Sequence, residues 1–235
     1  MIAGTWKGNN TRPRFRFSDV RAKGLSTNLS IAREGLLYIA IPAIVGGLLF
    51  LLGYWPVALL FIIAAAFMLY FFRDPERQIP SDPNLVVSPA DGRVTRVSAL
   101  VPEQGGSATL VSIFLSPLDV HINRSPIAGL ITDVSYTKGK FLMATDERAS
   151  LVNEQNSLTI QGDNLNVVCK QIAGILARRI VCWKKAGDRV ALGERIGLIK
   201  FSSRTDVVLP ENVTVTVTEG MKVRGGTTII GRIQR

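Results

Sequence analysis

From Gly35 to Phe72 the chain carries no charged side chain, reading GLLYIAIPAIVGGLLFLLGYWPVALLFIIAAAFMLYFF. One helix crosses a ~30 Å hydrocarbon layer in about 20 residues, so the run is long enough for two passes. Near its centre, Gly53-Tyr54-Trp55-Pro56 joins two turn-forming residues to two rings suited to a membrane boundary. This pattern predicts a helical hairpin with arms at 36–52 and 57–72. Both arms sit at the short end of the spanning range, which leaves a spanning and a shallow re-entrant hairpin open. The run starts too late and is too long for a secretory signal peptide.

The hairpin divides the 235 residues into a basic segment 1–34, the apolar run 35–72 and a domain 73–235. Ahead of it stand Lys7, Arg12, Arg14, Arg16, Arg21, Lys23 and Arg33 against Asp19 and Glu34, half of the net charge of +10. Arg73 and Arg77 follow on the far side. A hairpin returns both flanks to one face, and the positive-inside rule makes that face cytoplasmic, so the expected location is the cell membrane with the domain on its cytoplasmic side. No aromatic and basic interleave accompanies a recognisable nucleic-acid fold, and nucleic acid is not an expected partner. Cys169 and Cys182 are too few to staple the chain and lie in apolar surroundings, which places them reduced and in the core. His121 is the sole histidine. That excludes a metal site built on several histidines, no metal is expected, and a single imidazole is left for acid and base work.

Beyond Arg73 short β-type runs alternate with Gly, Pro, Asp and Asn: 85–87, 93–97, 109–114, 129–136, 157–161, 165–170, 180–183, 196–200, 205–209 and 213–217. Met143–Asn153 reads as helical, and Gln171–Arg178 fits a strand or a short helical turn. An internal echo links Gly187-Asp-Arg-Val190-Ala-Leu-Gly193-Glu-Arg-Ile196-Gly197 to Gly220-Met-Lys-Val223-Arg-Gly-Gly226-Thr-Thr-Ile229-Ile-Gly231. Units of this kind resemble the tight turns of biotinyl/lipoyl-like barrel-sandwich domains. The expected fold is therefore mainly β, a barrel-sandwich catalytic domain behind an N-terminal α-helical membrane hairpin.

Three local sequences are candidates for chemistry. Ser88-Pro-Ala-Asp91-Gly92-Arg-Val94 places Asp-Gly between apolar runs, the signature of a hairpin turn. Phe114-Leu-Ser-Pro-Leu-Asp119-Val-His121-Ile-Asn-Arg124-Ser-Pro126 alternates, setting Asp119 and His121 on one side of an extended chain. Phe201-Ser202-Ser203-Arg204-Thr-Asp206-Val-Val-Leu-Pro210 is a polar kink between two apolar strands. Singly, each also reads as a turn, a structural histidine and a bulge.

Together with Phe71-Phe-Arg-Asp-Pro-Glu-Arg77, and in the same order, these segments resemble the phosphatidylserine decarboxylase family in its short form with an N-terminal membrane hairpin; the likeness runs from about Gly35 to Arg235. The resemblance implies a proenzyme that cuts its own chain between Ser202 and Ser203 and converts Ser203 into a covalent pyruvoyl group, with no external cofactor. His121 would act as the base and proton donor and Asp91 as its orienting partner, the Ser-His-Asp logic of an activated hydroxyl. The ordinary imidazole pKa, about 6.5, suits both duties. The pyruvoyl ketone would serve as electron sink through a Schiff base with the substrate amine, turning phosphatidylserine into phosphatidylethanolamine and carbon dioxide. Arg124, Lys138 and Lys140 are candidate donors to the substrate phosphate. The β chain 1–202 and α chain 203–235 would remain associated, and a homo-oligomer is compatible with the sequence.

Two departures from the family pattern stand out. Glycine is usual at 202, where Ser202 adds a Cβ beside the scissile carbonyl, and a second histidine of longer relatives is Arg124 here. Other readings are a membrane-tethered carrier or adaptor with a modified Lys222, a serine hydrolase outside the Gly-x-Ser-x-Gly class, and a proenzyme left uncut because of Ser202.

Overall fold

The computed structural model describes residues 30–101, 106–144, 146, 148–163, 165–175, 179–201 and 203–234. The basic segment up to residue 29 and Ser202 lie outside them.

The apolar run folds as the expected hairpin. A single 3-10 turn, Arg33–Gly35, leads into α1 (Leu36–Leu51), and α2 (Trp55–Phe71) returns. Gly53 closes the turn at φ +85°, with Gly53 N–H on the Phe50 carbonyl and Tyr54 N–H on that of Leu49. Pro56 falls in the first turn of α2, where a missing N–H breaks no helical bond. Neither helix bears a charge at its ends, and Leu37, Ile41, Leu48, Leu60 and Ile63 are exposed. The Arg33–Leu51 helix is long and apolar enough to cross a membrane, while Trp55–Phe71 is apolar and shorter. At the base of the hairpin, β1 (Ser30–Ile31) pairs antiparallel with β2 (Arg73–Asp74), so the chain enters and leaves at one point.

The domain beyond is mainly β. Its strands are β3 (Leu85–Val87), β4 (Gly92–Leu100), β5 (Ala108–Leu115), β6 (Ile122–Arg124), β7 (Gly129–Thr137), β8 (Gln155–Gln161), β9 (Asn166–Ala173), β10 (Ile180–Cys182), β11 (Arg189–Val190), β12 (Arg195–Ile199), β13 (Ser203–Pro210), β14 (Val213–Val215), β15 (Lys222–Val223) and β16 (Ile229–Ile233). The order β11-β7-β8-β9-β13-β5-β4-β15 makes one antiparallel sheet, and β10-β12-β6 and β14-β16-β3 make two small ones. Alternation decides which face is buried: in β8, Asn156, Leu158 and Ile160 point inward and their neighbours outward. From the large sheet Ile113, Leu115, Ile131, Leu158, Ile160 and Leu209 meet Val86, Ile196 and Ile230 of the small sheets in one core. Cys169 lies inside it, its thiol pushed up to about 12 by burial; Cys182 packs at its edge, and both are free.

The echo is structural. Each copy is a two-residue strand followed by a five-residue one, β11 with β12 and β15 with β16, and the two short strands cap opposite ends of the large sheet. Gly193 and Gly226 hold φ +70° and +76° in equivalent turns, and the Ile79 side chain fills the space a Cβ would take at either. The segment leaving the hairpin is thus clamped between the two copies.

Several local expectations change. Asp91-Gly92 is not a two-residue hairpin: β3 and β4 belong to different sheets, and the bend at 89–91 is a corner between them. The stretch ahead of His121 is a turn rather than an extended strand, because Asp119 N–H bonds the Ser116 carbonyl and the Asp119 carboxylate accepts Ser116 N–H. Met143–Asn153 yields one helical turn, α3 (Ala149–Val152), and residues 171–173 complete β9.

Candidate active site

Three segments converge beneath the hairpin. The central strand β13 begins at Ser203, paired with Leu115 of β5 on one side and Ala173 of β9 on the other. Ile199, which ends β12, donates its N–H to the His121 carbonyl. Lys200 and Phe201 therefore follow a point tied to the 115–121 segment and precede a second one. Above them sits the last turn of α2: the Phe71 ring lies 4.1 Å from the His121 ring and stacks at 4.6 Å on Phe201, with Phe72 packed edge-on against Phe71.

Burial sets the chemistry of His121. The ring is 1% exposed, and loss of solvent lowers its pKa to about 4, outweighing its contact with the Asp119 carbonyl. A neutral ring has one N–H. Nδ1 lies 3.0 Å from the Asp119 carbonyl oxygen, which can only accept, so the proton belongs on Nδ1. Nε2 then carries a free lone pair, and it is buried without a hydrogen-bond partner among the described residues. Ser203 Oγ is in the same condition, on a fully buried residue. Two orphaned buried atoms, a donor and an acceptor, are costly features that folded proteins seldom keep without use.

The orienting contact expected from Asp91 is made instead by the Asp119 carbonyl. Asp91 is engaged elsewhere, with Oδ2 at 2.7 Å from Arg77 and Oδ1 accepting Gly225 N–H at 2.8 Å. Arg124 also differs from expectation. Its guanidinium is buried, donates to the Gly193 and Pro75 carbonyls and pairs with Asp74 at 3.4 Å, so it binds the protein itself. Burial, followed by nearby Arg195, lowers its pKa to about 10. Lys138 and Lys140 are exposed; the backbone of Lys140 bridges to Asn153, whose amide donates to the carbonyl of Ala173, the partner of Ser203 at the end of β9.

Each part of the 71–77 motif has a visible task. Arg73 ties the end of α2 to the Leu118 carbonyl, Asp74 receives Arg124 and Arg195, and Arg77 holds Asp91. Behind Ser203, Arg204 pairs with Asp206 at 2.6 Å and bonds Ser112, while Asn123, Thr205, Gln171 and Asn156 form a buried chain of hydrogen bonds. Sequence reasoning missed Phe201 as a special position: it is the only described non-glycine residue at positive φ, 58°, immediately before the 202–203 junction. Such a backbone costs a bulky residue about 1–2 kcal/mol, held here by the stack on Phe71.

Comparison with known proteins points to one family. The family model described as phosphatidylserine decarboxylase matches residues 64–231. A protein named phosphatidylserine decarboxylase proenzyme from Solibacter usitatus is 54% identical over 171 residues, covering 73% of this chain and 81% of that protein. One of the same name from Citrifermentans bemidjiense is 44% identical over 214 residues, with 88% and 98% covered. Another from Symbiobacterium thermophilum is 48% identical over 207 residues, with 86% and 95% covered.

Proposed function

The chain belongs to the phosphatidylserine decarboxylase family, and from that membership we propose that it is a self-processing proenzyme, cut between Ser202 and Ser203, whose mature form decarboxylates phosphatidylserine to phosphatidylethanolamine on the cytoplasmic face of a membrane. The observation that carries the reading is the pair of unpartnered buried atoms, Ser203 Oγ at the start of β13 and His121 Nε2 just ahead of β6, whose backbone carbonyl is tied to the end of β12.

Processing follows from their chemistry. His121, neutral and with its proton fixed on Nδ1, is poised as a base: Nε2 takes the hydroxyl proton as Ser203 Oγ attacks the carbonyl of residue 202. The C–N bond breaks as Nε2 passes that proton to the departing nitrogen, an ester forms and the residue 203 amine is freed. Loss of the residue 203 α-proton expels the carboxylate of residue 202, leaving dehydroalanine, which water converts to a pyruvoyl terminus and ammonia. Once formed, that group supplies an electron sink for the carbanion left by carbon dioxide. In turnover, His121 Nε2 would relay a proton taken up from solvent to the substrate carbon. Asp91 contributes by position, holding Arg77 and the Gly225 turn so that the 71–77 segment keeps Phe71 over His121.

The two chains stay together because β13 is paired along both edges, to β5 and to β9. The exposed apolar surface of α1 and α2 supports a membrane setting. The duplicated short-strand and long-strand units support the barrel-sandwich reading of the domain.

Intact mass spectrometry tests the proposal. Wild-type protein is expected as two chains, the smaller starting at residue 203 and lighter than the serine form by one ammonia. Ser203→Ala and His121→Ala are expected as single chains without activity. Carbon dioxide release by an unbroken wild-type chain would overturn the assignment.

A further inference from the structure

A groove of about 740 Å³ opens where α1 meets the β domain, lined by Arg33, Glu34, Leu37, Tyr38, Ile41, Pro42, Arg179, Val181 and Lys200. One wall is the apolar start of α1, and the other carries Arg179, the residue before β10, and Lys200, the residue after β12. Lys200 is the unusual member. It is 7% exposed, its backbone N–H bonds the Arg179 carbonyl, its Nζ stands 4.8 Å over the Tyr38 ring, and its ammonium has no ion pair among the described residues. An ammonium that lines the groove with one ring face beside it is open to an anion. Three cations against the single acid Glu34, whose carboxylate already accepts the Trp183 indole N–H, leave the groove with a surplus of positive charge.

We propose that this groove binds the phosphodiester of a membrane glycerophospholipid, with Lys200 as the central contact, Arg33 and Arg179 at the rim, and Leu37 and Ile41 against the glycerol end of the acyl chains. The inference rests on the decarboxylase reading and adds where and how its substrate is held. Two features select a lipid over free phosphate: the apolar wall continues onto the exposed face of the hairpin, and the charge complements an anionic headgroup. Lys200 is three residues from Ser203, so their Cα atoms are at most about 10 Å apart. A phosphate held at Lys200 leaves a serine headgroup a short span from the residue that would react with it. The groove also takes over the role expected of Arg124, Lys138 and Lys140.

Binding is read without catalysis by retention of radiolabelled phosphatidylserine on full-length Ser203→Ala protein in neutral-detergent micelles. Adding Lys200→Met is expected to weaken retention at least tenfold, and Lys200→Arg to restore it to within about threefold of the parent. Since a buried substitution can disturb folding, the exposed pair Arg33→Gln with Arg179→Gln is a second probe, expected to weaken retention at least fivefold. Inorganic phosphate at millimolar concentration is expected not to displace the lipid. Unchanged retention in both variants, or displacement by phosphate alone, would overturn the groove assignment. A wild-type protein that binds this lipid through Lys200 yet releases no carbon dioxide would overturn the proposed reaction and leave the groove standing.

Discussion

At the scale of single residues, His121 changes most between expectation and structure. An imidazole near pKa 6.5 would be half protonated close to neutrality, whereas burial against Phe71 holds this one at about 4. Its folded value is depressed, so between roughly pH 6.5 and 4 the unfolded chain binds the extra proton. The stability gained from keeping the ring neutral is fully present above 6.5 and is lost as the pH falls through the folded value, in total about 3 kcal/mol. Thermal unfolding of Ser203→Ala protein is therefore expected to weaken on acidification over that interval, with a clearly smaller decline in a Ser203→Ala, His121→Gln chain. The imidazole that we propose as the base is also already deprotonated at neutral pH. Maturation should run at a nearly constant rate from pH 8 to 6 and decline only below about 5; a sigmoid centred near 6.5 in the appearance of the small chain contradicts this placement. Ser203 and His121 were legible because each stands in an uncommon local sequence. The Asp119 carbonyl was not, since a backbone acceptor has no sequence signature, and neither was the burial that decides the pKa.

Among the elements, the last turn of α2 does more than end an apolar helix. Phe71 forms the roof over His121 and Phe201, and Phe72 fits against Gly35, where a Cβ would lie 2.3 Å from its ring. Phe71 is in this sense a positioning residue. Replacing it by alanine removes a fully buried ring, at a cost of about 3–5 kcal/mol, and admits water to the imidazole. Phe71→Ala is expected to slow maturation at least tenfold and to move the midpoint of its pH profile upward from about 4 toward the ordinary histidine range, whereas Phe71→Tyr should retain most of the rate. A general loss of stability alone would lower the yield of folded protein without moving that midpoint. The hairpin itself was legible from the absence of charge, and most long strands from their apolar alternation. Two-residue strands such as β1, β2, β11 and β15 were not: they have no period to detect and exist only through their partners. The Asp-Gly corner was misread because a turn signal says that the chain bends, not which sheet it bends into.

Across the whole molecule, hairpin and β domain are joined by a charged latch. Asp74, at the hairpin base, lies 3.4 Å from Arg124 of β6 and 2.7 Å from Arg195 of β12, the latter as an ion pair whose Nε geometry makes no hydrogen bond. Arg77 reaches Asp91 on the next segment at 2.7 Å, and Ile79 then threads between the two echoed turns. In this latch the charged residues that leave α2, Arg73, Asp74 and Arg77, are fixed to different parts of the domain. Removing Asp74 takes from the buried Arg124 guanidinium its paired carboxylate and leaves it beside Arg195, with only Asp91, itself paired to Arg77, as a remaining counter-charge. The expected cost of breaking such a pair is about 3–5 kcal/mol, far more than an exposed ion pair would lose. Asp74→Ala should therefore unfold at markedly lower temperature on the Ser203→Ala background, and Asp74→Glu should recover part of the loss. On the active background the same alanine substitution should delay appearance of the small chain, because the latch that seats Phe71 over His121 has lost its hub. Unfolding of Asp74→Ala within about 0.5 kcal/mol of the parent, with maturation at the parental rate, would mean that β1 pairing and the Arg77 contact suffice to dock the hairpin.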